Sequence, residues 1–190
     1  MQMTPTERAQ ILKQAADQLL EDIQLEELCR PIGIITPTGS YFLDLMVYPD
    51  IDYYLPPAKP RQLFDIASDL AENHPVKRVN FICGSPGALK DALYIKPVID
   101  TGTWDRPWKI DIWAVDLKFI EQKTTELNAF KAQMTPEIRE FILNFKFSIL
   151  NEEGRTPMLS GIHIYRAVFD LNIRKPKELT QYLRDQGIAV

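Results

Sequence analysis

The feature that most constrains this chain is a change of pattern at Asp116. Before it, short runs with the two-residue period of strands are interleaved with helical stretches. After it, every apolar pattern has helical spacing. Strands confined to the first part and helices alone in the second argue for an α+β fold: a core over residues 1–116, with a helical region over residues 117–190 packed on it. A chain of 190 residues is long enough to bury such a core without disulfides or metal staples. No internal repeat or low-complexity tract interrupts it.

Within the first part, Thr4-Pro5 caps a helix whose apolar positions Ile11, Leu12, Ala15, Ala16, Leu19, Leu20 and Ile23 recur at helical spacing. Arg30-Pro31 is expected to end it. Residues 32–36 read as a short buried strand, and Thr38-Gly39-Ser40 as a turn. Residues 41–48 fit either a strand or a short helical turn. Asp50–Leu55 alternates as a strand should and is stopped by Pro56-Pro57. Pro60–Asn73 is an amphipathic helix with Leu63, Phe64, Ile66, Ala67 and Leu70 inward. Val76–Cys83 reads as a strand closed by the turn signal Gly84-Ser85-Pro86-Gly87. Residues 92–99 form a further strand, with Pro97 pointing to a sheet edge, and residues 108–115 another. Helices are expected at 117–133, 136–151, 161–171 and 176–186, and Thr135-Pro136 and Lys175-Pro176 fit helix starts.

Lys and Arg number 22 against 26 Asp and Glu, a formal charge of −4. That balance counts against a general nucleic-acid coat, which needs a basic face to displace counterions. No apolar run reaches the ~18 residues of a membrane span. The polar start MQMTPTERAQ does not read as a signal peptide. Cys29 and Cys83 lack zinc or redox spacing, so reduced thiols in a cytoplasmic protein are expected.

The chemistry lies in the acidic residues. Asp50 and Asp52, two apart on one strand, project from the same face, while Ile51 points to the other. Carboxylates held this close repel, and one takes up a proton unless a cation sits between them. Magnesium prefers such hard oxygen ligands. Asp111, inside the apolar run of residues 110–115, is costly to bury without a partner. If its strand lies beside Asp50–Leu55, three carboxylates converge into a ligand set for two divalent cations that promote in-line displacement at phosphorus. The plainer reading makes Asp-x-Asp a solvated strand edge and pairs Asp111 with Lys109 or Arg106. Gly39-Ser40 favours the first: glycine lets the backbone approach a ligand, and neighbouring N–H groups and the Ser40 hydroxyl can hold a phosphate.

A strand, Gly39-Ser40, a short spacer, Asp50-Ile51-Asp52-Tyr53 and a distant Asp111 between isoleucines together resemble the nucleotidyltransferase superfamily of DNA polymerase β. The overlap covers about residues 32 to 116, and the closest likeness is to small bacterial proteins of the minimal and aminoglycoside-modifying kind. The resemblance implies a small mixed sheet flanked by helices, with a C-terminal helical bundle closing over the nucleotide. It implies that Gly39 and Ser40 bind the β- and γ-phosphates of a nucleoside triphosphate, and that Asp50 and Asp52 hold Mg²⁺. Asp111 would complete a second Mg²⁺ site and help deprotonate the acceptor hydroxyl. Transfer of a nucleoside monophosphate to a small-molecule or protein hydroxyl, with release of pyrophosphate, is the implied activity. No duplex nucleic acid or membrane partner is expected.

Two departures from the superfamily pattern stand out. Pro49 replaces a frequent serine, and Asp44 falls where many relatives have glycine. Both motivate a second reading, a catalytically silent nucleotidyltransferase-like module acting in a complex. A third, a metal-dependent hydrolase, usually recruits histidines, and His74 and His163 are distant from the motif. Among basic residues, Arg139 and Lys146 lie between two apolar sectors of one helix. They suggest a cleft wall, and Lys146 resembles the lysine that meets the triphosphate in the superfamily. The plainer alternative is a snorkelling lysine. Arg155 reads as a surface-paired loop residue, and His163, Arg166 and Asp170 as a polar helix face. Trp104 and Trp108 read as packing residues that could border an acceptor pocket.

Overall fold

The protein is described from a computed structural model covering residues 3–84 and 91–190. The turn expected at Gly84-Ser85-Pro86-Gly87 lies, beyond Gly84, outside the described residues. Helix α1 (Pro5–Asp22) starts where Thr4 accepts from the Glu7 N–H and Glu7 reaches back to the Thr4 N–H, a reciprocal cap. It does not continue to Arg30. Gln24 adopts a left-handed conformation (φ 50°), and a separate turn, α2 (Leu25–Cys29), follows.

The chain then runs through β1 (Thr36–Thr38), α3 (Gly39–Phe42), β2 (Asp50–Leu55), α4 (Pro60–Asn73), β3 (Val76–Cys83), β4 (Leu93–Ile99) and β5 (Trp108–Ala114). Four helices complete it: α5 (Leu117–Ala132), α6 (Pro136–Ser148), α7 (Ser160–Phe169) and α8 (Pro176–Asp185). The expected strand over 32–36 is displaced to Thr36–Thr38, and Ile34 is 86% exposed. The ambiguous stretch after Gly39 resolves into the single helical turn α3.

The five strands form a mixed sheet in the order β1-β2-β5-β4-β3. β2 and β5 are parallel, and every other neighbouring pair is antiparallel. Pro97 therefore sits in an interior strand rather than at an edge. On its β5 side the partners step from Ile95↔Ile112 to Val98↔Lys109, so Pro97 makes no bridge there, while on its other side it stands opposite Val79 of β3.

Alternation gives the sheet two unlike faces. Ile51, Tyr53, Leu55, Ile95, Ile110, Ile112 and Ala114 share a buried cluster with α1, α2 and α4 residues such as Leu12, Cys29, Leu63 and Leu70. Phe64, expected inward, is half-exposed and packs on Phe81 of the edge strand β3 at 4.6 Å between ring centroids. A second cluster joins α5–α8 through Phe130, Ile142, Phe145, Ile164 and Leu183, and also takes in Ala9, Leu43, Leu45 and Val47. The segment between α3 and β2 is thereby clamped by the C-terminal helices. Among the described residues, no helix is long and apolar enough to cross a membrane. Cys29 is buried and Cys83 exposed, both as free thiols.

Candidate active site

Parallel pairing of β2 with β5 sets Asp52 directly beside Asp111, and Asp50 beside Lys109. Neighbouring residues in register leave the same face of a sheet, so the three aspartates emerge together from the face opposite the apolar cluster. β1 brings Thr38 into register with Asp52 on the other side. Gly39 follows at φ 60°, and a Cβ there would collide with Asp52 Oδ2 and lie 3.1 Å from its Cγ. Only glycine lets the α3 turn pass this close to the carboxylate. The Leu45 N–H donates to the Ser40 carbonyl at 2.8 Å, which fixes the turn.

The carboxylates are electrostatically crowded. Burial, then the charges of Asp50 and Asp111, raise Asp52 well above the usual carboxylate range. Burial, then Asp50, likewise raise Asp111. Lys109 opposes both shifts, Lys146 that of Asp52, and Lys96 and Tyr94 that of Asp111. Lys109 Nζ lies 2.7 Å from Asp50 Oδ1, although that buried oxygen has no aligned hydrogen-bond donor. Tyr94 donates its hydroxyl to Asp111 Oδ1 at 2.9 Å, with its ring against Trp113 at 4.3 Å. Asp111 is thus partnered by Tyr94, not by Lys109 or Arg106.

Three half-buried aspartates offer a hard-oxygen donor set, and Asp50 Oδ1, which has the Lys109 ion pair but no aligned donor, is the kind of atom a cation would satisfy. In this arrangement they are not drawn into a closed ligand shell: among the described residues, no three carboxylate, imidazole or thiol groups stand close enough to grip a metal. The Lys109 ammonium supplies the local positive charge. The donor chemistry fits magnesium, and the side chains would have to close on it.

The other basic residues stand elsewhere than on an open cleft wall. Lys146 is 3% exposed and donates to the Leu45 carbonyl at 2.5 Å and to Tyr165 Oη at 3.1 Å. Burial pushes its ammonium down to about 8, and Asp50 and Asp52 partly counter that. It is a cation beneath the carboxylates, neither snorkelling nor projecting into solvent. Arg139 pairs with Asp44 through Nη2 and Nε at 2.9 and 3.1 Å. Asp44 has φ 56°, which is why glycine suits this position and why aspartate, one of the residues that tolerate the left-handed region, can replace it. Arg166 pairs with Glu126 at 2.6 Å, Trp108 is a core residue, and Trp104 packs on it edge-to-face at 6.4 Å. A hollow of about 430 Å³ lined by residues including Asp17, Glu21, Glu26, Tyr41 and Tyr53 contains none of the three site aspartates.

Tyr94, and the pairing of Lys109 with Asp50, escape a reading of the sequence. Both depend on β5 lying between β2 and β4, an order that no local pattern encodes.

No family model matches the chain, and no curated protein matches it. Solved structures do. The crystal structure of the Cid1 poly(U) polymerase superposes with a TM-score of 0.55 over 86% of this chain and 50% of that one, at 13% identity. Cid1 in complex with the UTP analogue UMPNPP gives 0.54 over 83% of this chain and 49% of that one, at 11% identity. A cytoplasmic RNA terminal U-transferase gives 0.50 over 80% and 45%, at 14% identity. The chain spans half or less of the length of these structures. The likeness is one of fold: the chain has the α+β nucleotidyltransferase fold that its motif resembles.

Proposed function

We propose that this chain transfers a nucleoside monophosphate from a nucleoside triphosphate to an acceptor hydroxyl, releasing pyrophosphate. The observation that supports the reading is the Asp52–Asp111 register, with Asp50 on the same strand face and Gly39 packed against Asp52. Asp50, Asp52 and Asp111 would hold Mg²⁺, which when bound offsets charge on the attacking and leaving oxygens. The α3 turn presents backbone and the Ser40 hydroxyl to the phosphates. Asp111 accepts the acceptor proton, and Tyr94 holds it in the orientation to do so. Cid1 is a poly(U) polymerase seen with a UTP analogue, which supports a nucleoside triphosphate as the donor here.

Incubation with each α-labelled nucleoside triphosphate and Mg²⁺, in the presence of a single-stranded RNA, an aminoglycoside or a cell extract, tests the reading. Label on any acceptor together with released pyrophosphate is the expected result. The absence of both with all four nucleotides would sink it. A second reading, a module of the same fold without turnover, is favoured by one observation: Lys109 already neutralises Asp50. It gives nucleotide-dependent thermal stabilisation with no transfer.

Tyr94→Phe gives a further check. Removing the hydroxyl takes away a hydrogen bond that lowers the Asp111 pKa. The acid limb of the rate–pH profile is therefore expected to move upward, and the rate to fall by about tenfold or more. An unchanged profile would reduce Tyr94 to packing against Trp113.

A further inference from the structure

We propose that Arg106, on the loop before β5, and Arg155, on the loop after α6, form an anion subsite beside the aspartates that takes a phosphate group of the substrate. Arg106 is anchored to the loop that carries Arg155: Nη1 donates to the Gly154 carbonyl at 2.7 Å, and Nη2 to the Glu153 carbonyl. Two full positive charges are thus held next to each other. Burial, and then the neighbouring Arg155 charge, keep the Arg106 guanidinium below its ordinary value. Arg155 is poorly satisfied. Its Nε is buried without an acceptor, and Glu153 Oε2, at 3.8 Å, belongs to a side chain that is 70% exposed.

The pair adjoins the carboxylates through Tyr48. Arg106 Cζ and Lys109 Nζ lie 5.8 and 5.6 Å from the centroid of the Tyr48 ring, and the Tyr48 hydroxyl meets Thr156 Oγ1 at 3.3 Å. The charge of Lys109 is taken up by Asp50, whereas Arg155 has only the long contact with Glu153, so its guanidinium is the least satisfied of the three. Like charges held together are costly until an anion bridges them, and the planar guanidinium fork matches phosphate oxygens better than any other side chain. Binding of an anion here stands on this geometry alone. That the anion belongs to a nucleotidyl-transfer substrate rests on the function proposed above.

The test is calorimetric titration of the full chain with inorganic tripolyphosphate in EDTA at low salt. The wild type is expected to bind, and Arg155→Gln to bind at least ~10-fold more weakly, a loss of about 1.4 kcal/mol. Arg155→Lys, which keeps the charge but not the fork, should fall between them, and Arg78→Gln, on the exposed edge strand, should leave binding unchanged. A short single-stranded RNA without nucleotide forms the second arm. Weakening with tripolyphosphate alone assigns the subsite to the triphosphate, and weakening with RNA alone assigns it to the acceptor backbone. If Arg155→Gln weakens neither, or the wild type binds neither at millimolar concentration, the subsite is wrong. Arg155-dependent binding in a protein that transfers nothing would keep the subsite and remove the transfer reading.

Discussion

Replacing Asp52 with asparagine is expected to make the metal-free protein more stable and, at the same time, to cut the proposed transfer activity steeply. Asp52 is held among Asp50, Asp111 and low-dielectric surroundings, and its carboxyl is raised well above the ordinary range. A carboxyl with a higher pKa folded than unfolded contributes its full stability below the unfolded value, near 3.9, and loses it as pH rises through the folded value. Above the unfolded value the carboxyl is therefore a standing cost, and asparagine of the same shape removes it while donating an N–H to the remaining carboxylates. Thermal melts at pH 3.5 and pH 7.5 check this. The two proteins should melt together in acid, and the variant should melt higher at neutral pH, each kcal/mol being worth roughly 2–4 °C for a chain of this size. Added Mg²⁺ should raise the wild-type midpoint and leave that of Asp52→Asn nearly still. Transfer should fall by ~10³-fold, the scale of losing one preorganised electrostatic group. A variant that melts no higher at neutral pH would mean that the carboxylates do not strain one another.

Such a cost is of the kind that clusters at functional sites. Most of the sheet obeys the ordinary rule of apolar in and polar out, and those stretches could be read directly. Asp50–Leu55, Pro60–Asn73 and Val76–Cys83 occupy the ranges that alternation, helical period and proline stops predict. Reading failed where a local signal had competitors. The apolar period of α1 continues smoothly into Leu25, and nothing in the composition marks Gln24 for a left-handed turn. Ile32 to Ile35 look like a strand, yet the pairing belongs to Thr36–Thr38, because only those residues reach β2 in register. Pro97 suggested an edge, but strand order is a long-range property, and β4 lies between β3 and β5 with no bridge from Pro97 to β5.

The site divides in the same way. Asp50 and Asp52 on one face follow from the two-residue period alone. Their meeting with Asp111 requires β5 to lie beside β2 in parallel, a pairing between residues some sixty positions apart. Tyr94 enters from the far side of β5. Arg106 and Arg155 meet only because two loops cross, and loop conformation carries little periodic signal. Lys146 shows how a correct placement can still mislead. Its position on α6 between apolar sectors was legible, but the sectors close over it, and its ammonium is spent on Leu45 and Tyr165.

Gly39→Ala probes the closest approach in the site, and its expected effect on folding is the larger of the two. Alanine must adopt φ 60° there, a conformation that costs an L-residue roughly 1–2 kcal/mol. Its Cβ also meets Asp52 Oδ2, with the Asp52 Cγ and Cβ at 3.1 and 3.3 Å, so either the turn or the carboxylate must move. Together these should destabilise the protein by about 2–4 kcal/mol, measured by urea unfolding. Displacing either partner misaligns phosphate turn and carboxylates, and a shift of about 1 Å is enough to lower transfer by ~10²-fold. The two causes separate in a double-mutant cycle. Asp52→Ala removes the colliding carboxylate without touching the dihedral. On the Gly39→Ala background it should recover about 1–2 kcal/mol more than it gains alone, and the dihedral cost should persist. Strict additivity of the two substitutions would mean that the turn is not pressed against Asp52, and the convergence on which the proposed chemistry depends would lose its firmest geometric support.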